Sequence, residues 1–117
     1  MNKYTELSDF EINKAVFHKA KIKHKYFRFL PNGVITYNIK GKYKVFDPCN
    51  NPSDAMPIII ENKIAMNPKD DIWQCGLGWN VAENKNPLRA CMESYLLMKD
   101  AENNNKTSSS NDDAGIN

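Results

Sequence analysis

Long apolar runs are missing from this sequence. The longest, Met56–Ile60, falls far short of the roughly 20 residues that a membrane-spanning helix needs. The opening "MNKYTELSDF" is polar throughout, so no secretory leader is expected. Three cysteines, Cys49, Cys75 and Cys91, cannot pair completely and lie far apart, which points to reduced thiols in a cytoplasmic setting.

Closely spaced metal ligands are also missing. Cys49, Cys75, Cys91, His18 and His24 form neither C-x-x-C nor H-x-x-x-H pairs, so no metal and no cofactor is expected. "DPCNNPSD" offers oxygen ligands, but Cys49 takes the third place and no glycine follows, so the EF-hand order fails. Gly76 and Gly78 in "CGLGWN" are not followed by a helix, which excludes a dinucleotide fingerprint. With two histidines and no recognisable nucleophile–base motif, catalytic residues are not expected and the protein reads as a non-enzyme.

Acid is scarce in the first half and aromatics in the second. Residues 1–50 carry ten Lys/Arg against four Asp/Glu, whereas residues 51–117 carry six against ten. Nine of the twelve aromatics share the basic half, the composition of many nucleic-acid binders. The polar stretch from Glu102 to Asn117 buries too little to offset ordering entropy, so a domain over 1–101 and a disordered tail over 102–117 are expected.

What is present reads as alternating helices and strands. Ser8 and Glu11 make a capping box, with Leu7 and Ile12 as its hydrophobic staple. Ile12, Ala15, Val16 and Ala20 continue at helical spacing. In "KYFRFLPNGVITYNIKGKYKVF", a three-residue Pro31–Gly33 loop with Gly33 left-handed aligns Phe27 and Phe29 with Ile35, Tyr37 and Ile39. The same phase continues through Tyr43 and Val45 if Gly41 is a bulge, leaving Arg28, Thr36, Asn38, Lys40, Lys42 and Lys44 opposite.

A short strand over Ile64–Met66 and a longer one over Ile72–Val81 are expected next. Alternation in the latter puts Trp73, Cys75, Leu77, Trp79 and Val81 on the core side. Asn86–Pro87 then caps a helix whose Leu88, Cys91, Met92, Tyr95 and Leu96 share one face to about residue 100. The expected fold is α+β: a two-layer sandwich with a mainly antiparallel four-stranded sheet and both terminal helices on one face, in the order α-β-β-(short α)-β-β-α.

The short helix falls in "DPCNNPSDAMPIIIENKIAM". Ser53 or Asp54 can cap it at Ala55, with Pro57 in its first turn. Asn50, Asn51 and Asp54 then serve turns and caps, and the segment is a joint; an open pocket there would make Asn50, Asn51, Asp54 and Met56 a protein- or ligand-binding loop.

"LSDFEINKAV", "FDPCNNPSDAMPIIIENKIAM" and "NPLRACMESYLLMKDAE", in that order, resemble the NinX family of lambdoid phages. The resemblance covers nearly all of residues 4–102, although the family commonly has Trp where this chain has Met56. It implies a phage or prophage origin and a place of action in the host cytoplasm, and it brings no activity, since the family is a domain of unknown function. The expected function is that of an accessory protein binding a host or phage protein, for instance to modulate host defence or metabolism. The alternative is nucleic-acid binding by a basic strand face of Arg28, Lys40, Lys42 and Lys44, flanked by Lys21, Lys23 and Lys25.

Overall fold

The computed structural model describes residues 2–20 and 27–112, with side chains through residue 103. Lys21, Lys23, His24 and Lys25 therefore lie outside the described residues. The element order is α1 (Asp9–Lys19), β1 (Phe27–Phe29), β2 (Ile35–Ile39), β3 (Lys42–Phe46), α2 (Pro52–Glu61), β4 (Met66–Lys69), β5 (Ile72–Cys75), β6 (Ala82–Asn84) and α3 (Pro87–Asp112).

The fold is α+β, but the expected four-stranded sheet is replaced by two antiparallel three-stranded sheets, β1-β2-β3 and β4-β5-β6. The helices do not share one sheet face. α1 lies against β2, α3 lies against β5 and β6, and the two helices pack on each other. The reason is visible along α3, where every residue from Arg89 to Leu96 is buried. A helix buried all round needs walls on several sides, and one sheet face cannot supply them.

α1 begins as its sequence dictates. Ser8 Oγ accepts from the Glu11 N–H at 3.1 Å, and Glu11 Oε1 accepts from the Ser8 N–H at 3.2 Å, closing the capping box. Ile12 and Val16 are fully buried. Phe17, outside the expected stripe, is buried as well and carries the contact to the first sheet. Its ring centroid lies 4.7 Å from that of Phe27, 6.0 Å from Phe29 and 5.6 Å from Phe46.

The first hairpin has the expected register, with Phe29 opposite Ile35 and Phe27 opposite Tyr37. Gly33 adopts φ +84°, and the Leu30 N–H donates to Val34 O across the three-residue loop. The second hairpin does not. Lys40 (φ +51°) and Gly41 (φ +83°) form a two-residue turn between paired Ile39 and Lys42, so there is no bulge. That one-residue difference moves Tyr43 and Val45 off the apolar face and puts Lys42 and Lys44 in their place.

α2 starts one turn earlier than expected. Asn51 is its N-cap and Pro52 its first residue, which leaves Pro57 inside the helix. The expected strand at Ile64–Met66 forms two residues later, as β4, where Pro68 is tolerated on a sheet edge. The expected Ile72–Val81 strand stops at Cys75. Trp73 is half-buried against the core, but Leu77 is 70% and Trp79 97% exposed, which corrects their placement on the core side. α3 spans Pro87–Asp112. A helix already nucleated and packed propagates at small cost per residue.

Candidate functional site

The residues of the joint satisfy one another. Asn51 Oδ1 accepts from the Ser53 N–H (3.0 Å) and hydroxyl (2.9 Å), while Asp54 Oδ2 accepts from the Asp47 N–H at 2.9 Å. Asn50 Nδ2 donates to Asp9 Oδ2 (3.0 Å) and Asp47 Oδ1 (3.1 Å), and its Oδ1 accepts from Asn86 Nδ2 at 3.2 Å. Met56 is half-buried against the core. Asn50 thus ties α1 to the start of α3, while Asn51 and Asp54 fix the entry to α2. Asp54 does border a groove of about 260 Å³ with Tyr37 and Phe46. Burial and the Asp47 carboxylate push its carboxyl up, against the Asp47 N–H and Lys44.

Beside the joint lies a buried ion cluster that no motif announced. Arg89 is 7% exposed and Glu93 1%. Arg89 Nε donates to Glu93 Oε2 at 2.6 Å and Nη1 to Asp9 Oδ1 at 2.7 Å. Nη2 donates to the carbonyls of Tyr4 (3.0 Å) and Leu7 (2.8 Å). Asn2 Nδ2 reaches Glu93 Oε1 at 3.1 Å, and the Tyr4 hydroxyl donates to the Asp100 carboxylate. The segment before α1 is thus strapped along α3.

Burial raises the Asp9 carboxyl, but hydrogen bonds from Asn50 and Arg89 and the guanidinium charge outweigh it and hold it below its ordinary 3.8. A carboxyl lowered in the folded state stabilises above the unfolded value, and that contribution disappears as pH falls through the lowered one. Thermal melts from pH 7 to 2.5 should therefore lose stability mainly below pH 4, and Asp9→Asn should make that loss shallower. An unchanged acid limb in the variant would contradict the assignment.

The four basic residues are not brought onto one face. Pairing puts Arg28, Thr36 and Val45 together, with the Arg28 guanidinium 5.8 Å from the centre of the Tyr43 ring. Lys42 and Lys44 point to the opposite face, and Lys40 sits in the turn.

Among the described residues, the most exposed large apolar side chain is one that strand alternation puts on the core side. After β5 the chain enters a turn in which the Asn80 N–H donates to Leu77 O at 3.1 Å. Gly78 (φ +62°) holds the first central position and Trp79 the second, an arrangement that favours glycine. The base of the turn is fixed. The Gly76 N–H donates to Ala65 O at 2.9 Å, and the Ser94 hydroxyl of α3 donates to Asn80 O. A side chain at Gly76 has no room, since its Cβ would lie 2.2 Å from Ser94 Oγ. On this base Leu77 is 70% and Trp79 97% exposed. A cleft of about 270 Å³, walled by Ile64, Ala65, Gly76 and Met98, adjoins Leu77. The signal in the sequence was the Gly76-x-Gly78 pair, which interrupts any strand.

A family model described as Bacteriophage P22, NinX matches residues 3–99. The chain belongs to the NinX family. It is therefore a small phage protein, and the matched span takes in the Arg89 cluster, the joint and the Leu77–Trp79 turn. No curated protein and no solved structure matches it.

The three thiols of this NinX-family protein are all fully buried. Burial and the Asp9 carboxylate push the Cys49 thiol well above the usual range. Its hydrogen bond with Cys75, together with burial, does the same for Cys91. Among the described residues, no group of His, Cys, Asp or Glu could hold a metal ion, and no helix is long and apolar enough to cross a membrane.

Proposed function

We propose that this NinX-family protein is a non-enzymatic accessory protein that binds a host or phage protein in the cytoplasm, with the Leu77–Trp79 turn as its principal contact. The observation carrying this reading is the 97% exposure of Trp79 on a turn whose base is pinned to α3. Burying a tryptophan removes about 150–250 Å² from water, roughly 4–6 kcal/mol of gross driving force at 25 cal/mol/Å². A pinned turn gives up little conformational freedom on binding, so more of that gain survives as affinity. Few residues carry most of the energy of an interface, and tryptophan is prominent among them.

The test is capture of a stoichiometric protein from host lysate by the wild type and by Trp79→Ala. Trp79→Ala should weaken the captured complex by about 30-fold or more, equivalent to a 2 kcal/mol hot spot. Its stability should stay within about 0.5 kcal/mol of wild type, because the side chain touches almost nothing. Equal capture by both proteins would show that the turn is not the contact.

A further inference from the structure

We propose that the free edge of β3 is a second docking site, which takes an extended acidic segment of a protein partner as an added fourth strand. The order β1-β2-β3 leaves β3 with one unpaired side among the described residues. The two-residue turn makes Ile39 and Lys42 a hydrogen-bonded pair. By alternation Tyr37–Lys44 and Ile35–Phe46 are the next such pairs. The backbone N–H and C=O groups of Tyr43 and Val45 consequently face outward. They stand two residues apart, the spacing that a docking strand requires.

The next position in that row marks where the open edge ends. Asp47 follows Val45 on the same edge, and its N–H is taken by the Asp54 carboxylate at 2.9 Å. The protein closes the end of its own edge with an acid and leaves the two preceding donors open.

Charge selects the occupant. Residues 27–46 contain Arg28, Lys40, Lys42 and Lys44 and no acidic residue. Lysines along an edge repel a second copy of the same edge, which disfavours self-pairing, while they attract a strand carrying carboxylates. The two faces ask for different side chains. Tyr43 (57% exposed) and Val45 (51%) line one side of β3 and favour apolar neighbours. Lys42 and Lys44 line the other and favour acids. Asp54 partly offsets Lys44, so the acid opposite Lys42 matters most. A groove of about 400 Å³ bounded by Tyr37, Lys44, Val45 and Asp54 lies beside the edge and leaves space for the added side chains. The recognised motif is therefore an alternation of acidic and β-branched residues.

The probe is a short peptide alternating glutamate with valine and threonine, titrated into the full-length ¹⁵N-labelled protein. Its lysine counterpart and a single-stranded oligonucleotide serve as comparisons. The glutamate peptide should shift the Tyr43 and Val45 amides and slow their hydrogen exchange. Val45→Pro removes an outward N–H without touching a β2–β3 bond, so it should weaken binding by roughly tenfold or more while the melting curve holds. If that variant is misfolded, Lys42→Glu supplies the same comparison by reversing the preference toward the lysine peptide. Unshifted Tyr43 and Val45 amides, or equal binding of both peptides, would overturn the proposal. So would an oligonucleotide that perturbs this edge when the glutamate peptide does not, and that result would favour the nucleic-acid reading. Trp79→Ala should leave peptide binding unchanged, so failure here is separable from failure of the turn.

Discussion

Arg89→Met is expected to destabilise the fold by about 3–5 kcal/mol, the cost of leaving one member of a buried ion pair without its partner. Glu93 is 1% exposed, and its Oε2 accepts from Arg89 Nε at 2.6 Å. Methionine fills most of the arginine's volume, so the cost comes from electrostatics rather than from a cavity. The carbonyls of Tyr4 and Leu7 lose their donor in the same step. For a domain of about 100 residues the melting temperature should drop by more than about 10 °C. Hydrogen exchange should rise first in residues 2–8, which the guanidinium holds. The double variant Arg89→Met/Glu93→Leu removes both charges and should regain a large part of the loss. A melting temperature within 2 °C of wild type for Arg89→Met would show that the pair is not buried as described.

Gly76→Ala should cost about 3 kcal/mol and should disable the turn at the same time. Two penalties coincide there. The φ of +99° is a backbone conformation that L side chains rarely adopt. An added Cβ would also lie 2.2 Å from Ser94 Oγ and 2.3 Å from the Asn80 carbonyl oxygen, and the second of these is backbone. Moving Ser94 aside therefore cannot relieve the clash. Gly78→Ala separates the two penalties, because Gly78 has φ +62° and nothing within 4 Å of the added carbon. It should cost only the strain, about 1–2 kcal/mol. Paired urea melts of the two variants give the difference directly. Equal costs would mean that collision at Gly76 contributes nothing.

Local signals in the sequence are legible where one short-range interaction decides the structure. The Ser8–Glu11 box, the Gly33 loop and its strand register, and the Asn86 cap are all of this kind. Asn86 Oδ1 accepts from the Leu88 N–H at 2.9 Å. Expectation and structure part where two local solutions differ by one residue. Gly41 fits a bulge or the second place of a two-residue turn, and only Lys40 at φ +51° selects the turn. Lysine is not a residue that advertises a left-handed backbone. The alternation from Trp73 to Val81 is present in the sequence, but glycines at 76 and 78 turn the chain before it can be used. The Arg89 cluster is illegible because, apart from Glu93 one turn on, its partners lie some eighty residues away, at Tyr4, Leu7 and Asp9. Of the candidate residues, Asn50, Asn51, Asp54 and Met56 resolve into a joint, while Arg28, Lys40, Lys42 and Lys44 are divided among two faces and a turn.

The strap between residues 2–8 and α3 has a bearing on how the chain is made. α1 and the first sheet precede α3 in the chain, yet residues 2–8 meet their polar anchors only when Arg89 and Asp100 follow. Some eighty residues separate this segment from its anchor on α3, so the newborn polypeptide carries it unlatched over that stretch of synthesis.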